Sequence, residues 1–159
     1  MKKALTIAFA CFILSGFIGQ INGQNLPDKK KTAIEKQVAS IFHEMIKAAE
    51  NLDYDKLNQG VDDRHNAGFI TNGLYFERYD SLHNIMKTRS RGVTRQRIMI
   101  QKEKITVLSD NIVLLTASGD AEIDVSSGDS FNVKFFWSFV YEKINNNWKV
   151  IYSHQSNNR

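Results

Sequence analysis

Two side chains near the end of this chain have the right types and spacing to move a proton. Tyr152 and His154 stand two residues apart in the run Trp148-Lys149-Val150-Ile151-Tyr152-Ser153-His154-Gln155. An imidazole titrates near neutral pH and serves as acid or base. A phenol beside it can donate to a developing oxyanion. The alternative reading is a structural histidine with its hydrogen bonds satisfied. Tyr54, Tyr75 and Tyr79 could donate in the same way, or could be core residues with bonded hydroxyls.

Other polar groups are less suited to chemistry. Asp62, Asp63 and His65 cluster in a stretch that also reads as a solvated turn. Asp120, Glu122 and Asp124 share one strand face, but that face opposes the apolar one and no cation-binding loop accompanies it. His43 and His83 are isolated, and no two histidines have i, i+4 spacing, so no metal site is expected. Arg95 and Arg97 share a strand face. They would receive a carboxylate if turned inward, or protect an edge if turned outward. No cofactor is expected.

Strands and helices must position these groups. Ile34, Val38, Ile41, Phe42, Met45, Ile46 and Ala49 recur at helical spacing. A capping box at Thr32–Glu35 opens this long helix, with Asp28 after Pro27 as an alternative start. A short helix over 54–59 follows, then a short strand over 66–71 and a turn at Asn72-Gly73. Asp80 caps a third helix that Gly92 closes. Four extended segments complete the chain, at 93–108, 112–125, 131–143 and 148–155. Short polar connectors between them predict an antiparallel meander.

Parity sorts the strand faces. Val113, Leu115, Ala117, Ala121 and Ile123 share one face. Phe131, Val133, Phe135, Trp137, Phe139 and Tyr141 share another. The last segment is read with Trp148, Val150, Tyr152 and His154 together. The first segment has apolar residues on both faces, so a bulge near 101–104 is expected. Phe136 and Val140 point outward and offer a surface on which two copies could pair.

The amino terminus reads as an export signal. Met1-Lys2-Lys3 is positive, 4–18 is nearly all apolar, and small and polar residues follow. Cleavage near Gly23 gives a signal peptide over 1–23, a flexible lead over 24–31 and one domain over 32–157, exported to the periplasm or the medium. It removes Cys11, the only cysteine, so no disulfide or thiol chemistry remains. It also takes two of the 21 basic residues, leaving 19 against 17 acidic ones. That balance does not fit a nucleic-acid-binding surface. No membrane attachment is expected after cleavage.

The element order resembles the nuclear-transport-factor-2-like (NTF2-like) fold. The closing run Asn147-Trp148-Lys149-Val150-Ile151-Tyr152-Ser153-His154-Gln155-Ser156 resembles the last strand of its SnoaL-like members. Gly68-Phe69-Ile70-Thr71-Asn72-Gly73, followed by Tyr79-Asp80-Ser81-Leu82, is similar to their first strand and third-helix entry. The resemblance implies an α+β cone, in which a long helix and two shorter ones pack on a curved antiparallel sheet and enclose a pocket. Met45, Phe69, Tyr79, Met86, Trp137, Tyr152 and His154 are the expected pocket residues. Three roles remain open. The domain could bind a small apolar molecule, or act as an enzyme moving a proton with His154 and a tyrosine. It could also be a module that dimerises through its outer sheet face. Isomerase chemistry of the ketosteroid type lacks its inward acid on the second and third strands.

Overall fold

The structure, a computed structural model, describes residues 26–158; the expected export signal at 1–23, with Cys11, lies outside the described residues. Helix α1 spans Asp28–Glu50 and α2 spans Tyr54–Gln59. Strands β1 (Phe69–Thr71) and β2 (Leu74–Phe76) form a small hairpin. Helix α3 covers Tyr79–Arg89 and runs into a tight turn at Ser90–Gly92. Four long strands follow: β3 (Val93–Val107), β4 (Ile112–Val125), β5 (Ser130–Ile144) and β6 (Asn147–Asn158).

The six strands form one curved sheet in the order β2-β1-β6-β5-β4-β3. The meander β3 to β6 is antiparallel as expected, but β1 pairs with β6 in parallel, so the sheet is mixed. A strand of three residues carries too little pattern to announce its direction. The Asn72-Gly73 turn is a real hairpin turn, with φ of 49° and 80° at its two residues.

Helix α1 starts at Asp28, the alternative start, with Pro27 before it and Thr32 already inside the helix. Residues 28–31 are thus helical rather than part of a flexible lead. Its stripe of Ile34, Val38, Phe42 and Ile46 is buried against the sheet. The Phe42 ring meets Phe139 at 5.9 Å. The Trp148 indole N–H donates to Gln37 at 3.1 Å. At the far end the Glu50 carboxylate accepts the Ile98 N–H at 2.7 Å, so the helix terminus is fixed to β3.

Besides a shift at Thr94, at the start of β3, two bulges decide which side chains face inward. In β3 the register shifts between Ile100 and Lys102, which leaves Gln101 unpaired within the expected interval. Ile98 and Ile100 face inward before it, and Glu103, Ile105 and Val107 after it, opposite buried Ala117, Leu115 and Val113. Glu103 then meets the imidazole of His43 on α1 at 2.8 Å. In β6 the shift falls at Ile151, because Tyr141 pairs with Val150 whereas Val140 pairs with Tyr152. This second bulge was not expected, and it reverses the parity of the rest of the strand.

Gly119 sits on the inner face of β4, beside the first bulge, in register with Ile100. A Cβ there would collide with the Met99 carbonyl oxygen and lie 2.9 Å from the Phe135 ring. Here the two backbones approach too closely for any side chain.

Tyr141 is buried in the same layer, and its hydroxyl has no hydrogen-bond partner among the described residues. Burial, with the Glu103 carboxylate nearby, pushes the phenol pKa well above its ordinary range. Leaving a buried polar group unmatched costs more than removing it. Tyr141→Phe is therefore expected to raise stability by about 1 kcal/mol, read as a higher urea midpoint. A lower midpoint would show that the hydroxyl is satisfied.

Candidate functional site

The three helices do not fill the concave side of the sheet. A cavity of about 350 Å³ remains where α1, α2 and α3 meet β3, β4 and β5. Its apolar wall is built by Leu82, Ile85 and Met86 of α3, and by Ile98, Ala121 and Val133 of the sheet. A smaller chamber of about 70 Å³ lies alongside, lined by Met45, Ile46, Phe139 and Val150. Ala49, Leu57, Met86, Trp137 and Gln155 border both spaces.

Short-range contacts hold α2 and α3 over this cavity. Asp53 caps α2 by accepting the Lys56 N–H at 3.0 Å. The Asp63 carboxylate accepts the Tyr79 N–H at 3.1 Å and pairs with Arg78 at 3.0 Å, which fixes the start of α3. His83 is buried, and its Nε2 donates to the Tyr54 carbonyl at 3.0 Å, joining the two helices. That contact accounts for His83 as a structural residue.

Trp137 forms the wall between the two spaces. Its ring stacks on Phe135 at 4.0 Å, and its edge meets Phe139 at 6.3 Å. Its indole N–H donates to Asn157 Oδ1 at 3.0 Å. The Asn157 backbone N–H in turn donates to Asn72 Oδ1 at 2.8 Å. This chain of bonds ties β5, β6 and the β1–β2 hairpin together along one side of the cavity. The Gln96 amide donates to the Ala49 carbonyl at 3.4 Å on another side.

Of the expected pocket residues, Met45, Tyr79, Met86 and Trp137 line these spaces. Phe69 is fully buried and supports Tyr79 edge-on at 5.1 Å rather than reaching the cavity. Burial pushes the Tyr79 phenol up to about 12, so it stays protonated and can only exchange hydrogen bonds.

Tyr152 and His154 do not face the cavity. The Ile151 bulge turns Ser153, Gln155 and Asn157 inward and puts Tyr152 and His154 on the outer face of the sheet. There His154 is exposed, in the cross-strand row Thr116–Ser138–His154. Tyr152 lies in the row Leu114–Val140–Tyr152. Phe136 stands 61% exposed on the same face. Tyr152 and His154 line no part of the inner cavity, so the expected pairing of an imidazole and a phenol inside the cone is corrected.

Several of the remaining candidates sit in surface pairs, and Arg97 and Glu122 stand opposite each other in the β3–β4 register. Asp62 pairs with Arg64 at 2.6 Å, which holds its carboxyl below the ordinary range. His65 meets Glu142 at 2.6 Å. Arg95 pairs with Asp124 at 2.6 Å on the outer face, and Asp120 bonds Gln101. Among the described residues no group of three or more histidine, cysteine or acidic side chains is placed to hold a metal ion.

The sequence reading missed the polar part of the lining: Gln96, Gln155, Asn157, Asn72, Thr71 and Arg89. Among the described residues, no carboxylate and no imidazole lines either space. The pattern is an apolar chamber with a few hydrogen-bonding groups, as small-molecule sites are built.

An α+β cone with an internal chamber between helices and sheet defines the class of protein. The model of the SnoaL-like domain matches residues 38–158, and the chain belongs to that family. Among solved structures, a candidate scytalone dehydratase from Novosphingobium aromaticivorans superposes with a TM-score of 0.75 at 6% identity, covering 84% of this chain and 89% of that one. An NTF2-like superfamily protein from Salmonella enterica serovar Typhimurium gives 0.72 at 13% identity, over 81% and 94% of the two chains. A hexachlorocyclohexane dehydrochlorinase gives 0.70 at 10% identity, over 84% and 90%. No curated protein matches the sequence. At these identities the likeness shows the fold alone.

Proposed function

We infer that this chain is a binding protein that holds a small, largely apolar molecule in the cavity beneath α3. The observation that carries the reading is the lining itself. Apolar side chains make most of the wall, and carboxamides, hydroxyls and one guanidinium supply the polar contacts. Proton-transfer chemistry, as the names of the dehydratase and dehydrochlorinase neighbours suggest, needs a base within reach of the substrate. The two chambers present Tyr54 and Tyr79 but no carboxylate or imidazole among the described residues, which favours binding over acid–base catalysis.

Ala121 gives a direct test. It is buried on the inner face of β4 and borders the larger chamber. Leucine there adds bulk where space exists, so the fold should tolerate it while the chamber shrinks. The neutral fluorescent probe phenylnaphthylamine is expected to bind the parent protein saturably, and Ala121→Leu to weaken it by about tenfold. Unchanged far-ultraviolet circular dichroism would confirm that the variant is folded. An affinity that Ala121→Leu does not alter would place the probe elsewhere and remove this reading.

A further inference from the structure

We propose that the molecule held in this cavity carries a carboxylate, received at the mouth by Arg89 and the side-chain amides of Asn72 and Asn157. This deepens the binding role proposed above and rests on it.

Arg89 ends α3 and is exposed at the edge of the larger chamber. It is the one side chain charged at neutral pH among the described residues lining either space. Arg64, Arg78 and Arg95 each pair with an aspartate, at 2.6, 3.0 and 2.6 Å. One half-turn earlier on α3, Lys87 pairs with Asp55 at 2.6 Å. Arg89 has no carboxylate partner among the described residues. Arg91 and Arg97 are likewise without a carboxylate partner among the described residues, but neither lines the chamber. The carbonyl end of α3 favours a cation there, but a helix dipole does not use the five donors of a guanidinium.

Two amides lining the same chamber are held in a way that suits the same ligand. Asn157 Oδ1 accepts the Trp137 indole N–H, and Asn72 Oδ1 accepts the Asn157 backbone N–H. Each oxygen is held by an N–H, so each side chain is oriented with its NH₂ group free to donate. A guanidinium and two amide donors at the edge of an apolar chamber call for a ligand that is all acceptor at one end and apolar along its body. A carboxylate meets the planar fork of arginine with two parallel hydrogen bonds, which a neutral carbonyl or hydroxyl does not.

Biphenylcarboxylate and biphenylcarboxamide are matched in shape and differ in charge. Titration calorimetry of both against the protein separates the possibilities. The acid is expected to bind about tenfold more tightly than the amide, and Arg89→Gln to bring the ratio of the two affinities close to one. Arg89→Lys should retain part of the preference, because charge is kept and the fork is lost. Arg89 is exposed, so neither substitution threatens the fold. Equal affinity for acid and amide, or an acid preference that survives Arg89→Gln, overturns the carboxylate site and leaves the cavity reading standing. Failure of both compounds to bind overturns both.

Discussion

Replacing Gly119 with alanine is expected to leave little folded protein. The new methyl would point into the cone and collide with the Met99 carbonyl oxygen, with the Phe135 ring only 2.9 Å away. A flexible side chain could swing aside, but Met99 is backbone, held in the β3–β4 ladder opposite Asp120. Relief would require the strands to part beside the Gln101 bulge, in the middle of the β3–β4 ladder. The cost should exceed about 4 kcal/mol, the range reached by only a few kinds of substitution. Domains of this size have about 5–15 kcal/mol in total. Soluble yield and the thermal midpoint would report it, and a variant that melts with the parent would mean the strands are further apart than described.

Phe42→Ala should be the most damaging truncation in the helical layer. Phe42 is fully buried on α1, midway along the Ile34–Val38–Phe42–Ile46 stripe, and its ring packs on Phe139 at 5.9 Å. Removing a buried phenyl loses its transfer free energy and leaves a void, for about 3–5 kcal/mol. The neighbours cannot close in. Phe139 is fixed between Trp137 and Tyr141, at ring distances of 6.3 and 6.4 Å. Chemical denaturation should show a lower midpoint with a similar slope. A loss near 1 kcal/mol would mean that α1 re-seats on the sheet and that the long helix is a less rigid wall than its burial implies.

Much of the frame was legible because burial was alternating or helical. The stripe of α1 is apolar against a charged opposite face. The inward set of β5, from Phe131 to Tyr141, is so consistent that no other register buries it. The Gln101 bulge was legible from a conflict, since Ile98 and Ile100 fix one parity and Ile105 and Val107 the other. The Ile151 bulge left no such mark. Ile151 and Tyr152 are both apolar, and Ser153, His154 and Gln155 are all polar, so either parity reads equally well.

The site was half legible for a related reason. Met45, Tyr79, Met86 and Trp137 belong to apolar patterns that must face inward, and a pocket inside the cone must touch some of them. Gln96, Gln155 and Asn157 lie inward too, yet a carboxamide near a strand end resembles a solvated one until the opposite wall is known. The hairpin strand β2 had a signal that went unused. Leu74-Tyr75-Phe76 is apolar and directly follows an Asn-Gly turn, the strongest short-range mark of a hairpin.

The extra residue at Ile151 divides the final strand into two working lengths. Before it, Trp148 and Val150 lie under α1 and serve as floor. After it, Gln155 and Asn157 furnish the rim of the chamber, while Tyr152 and His154 are handed to the outside. Without the offset, the imidazole would face the helices and the amides would face water. One unpaired peptide thus decides that amides, and not an imidazole, line the interior.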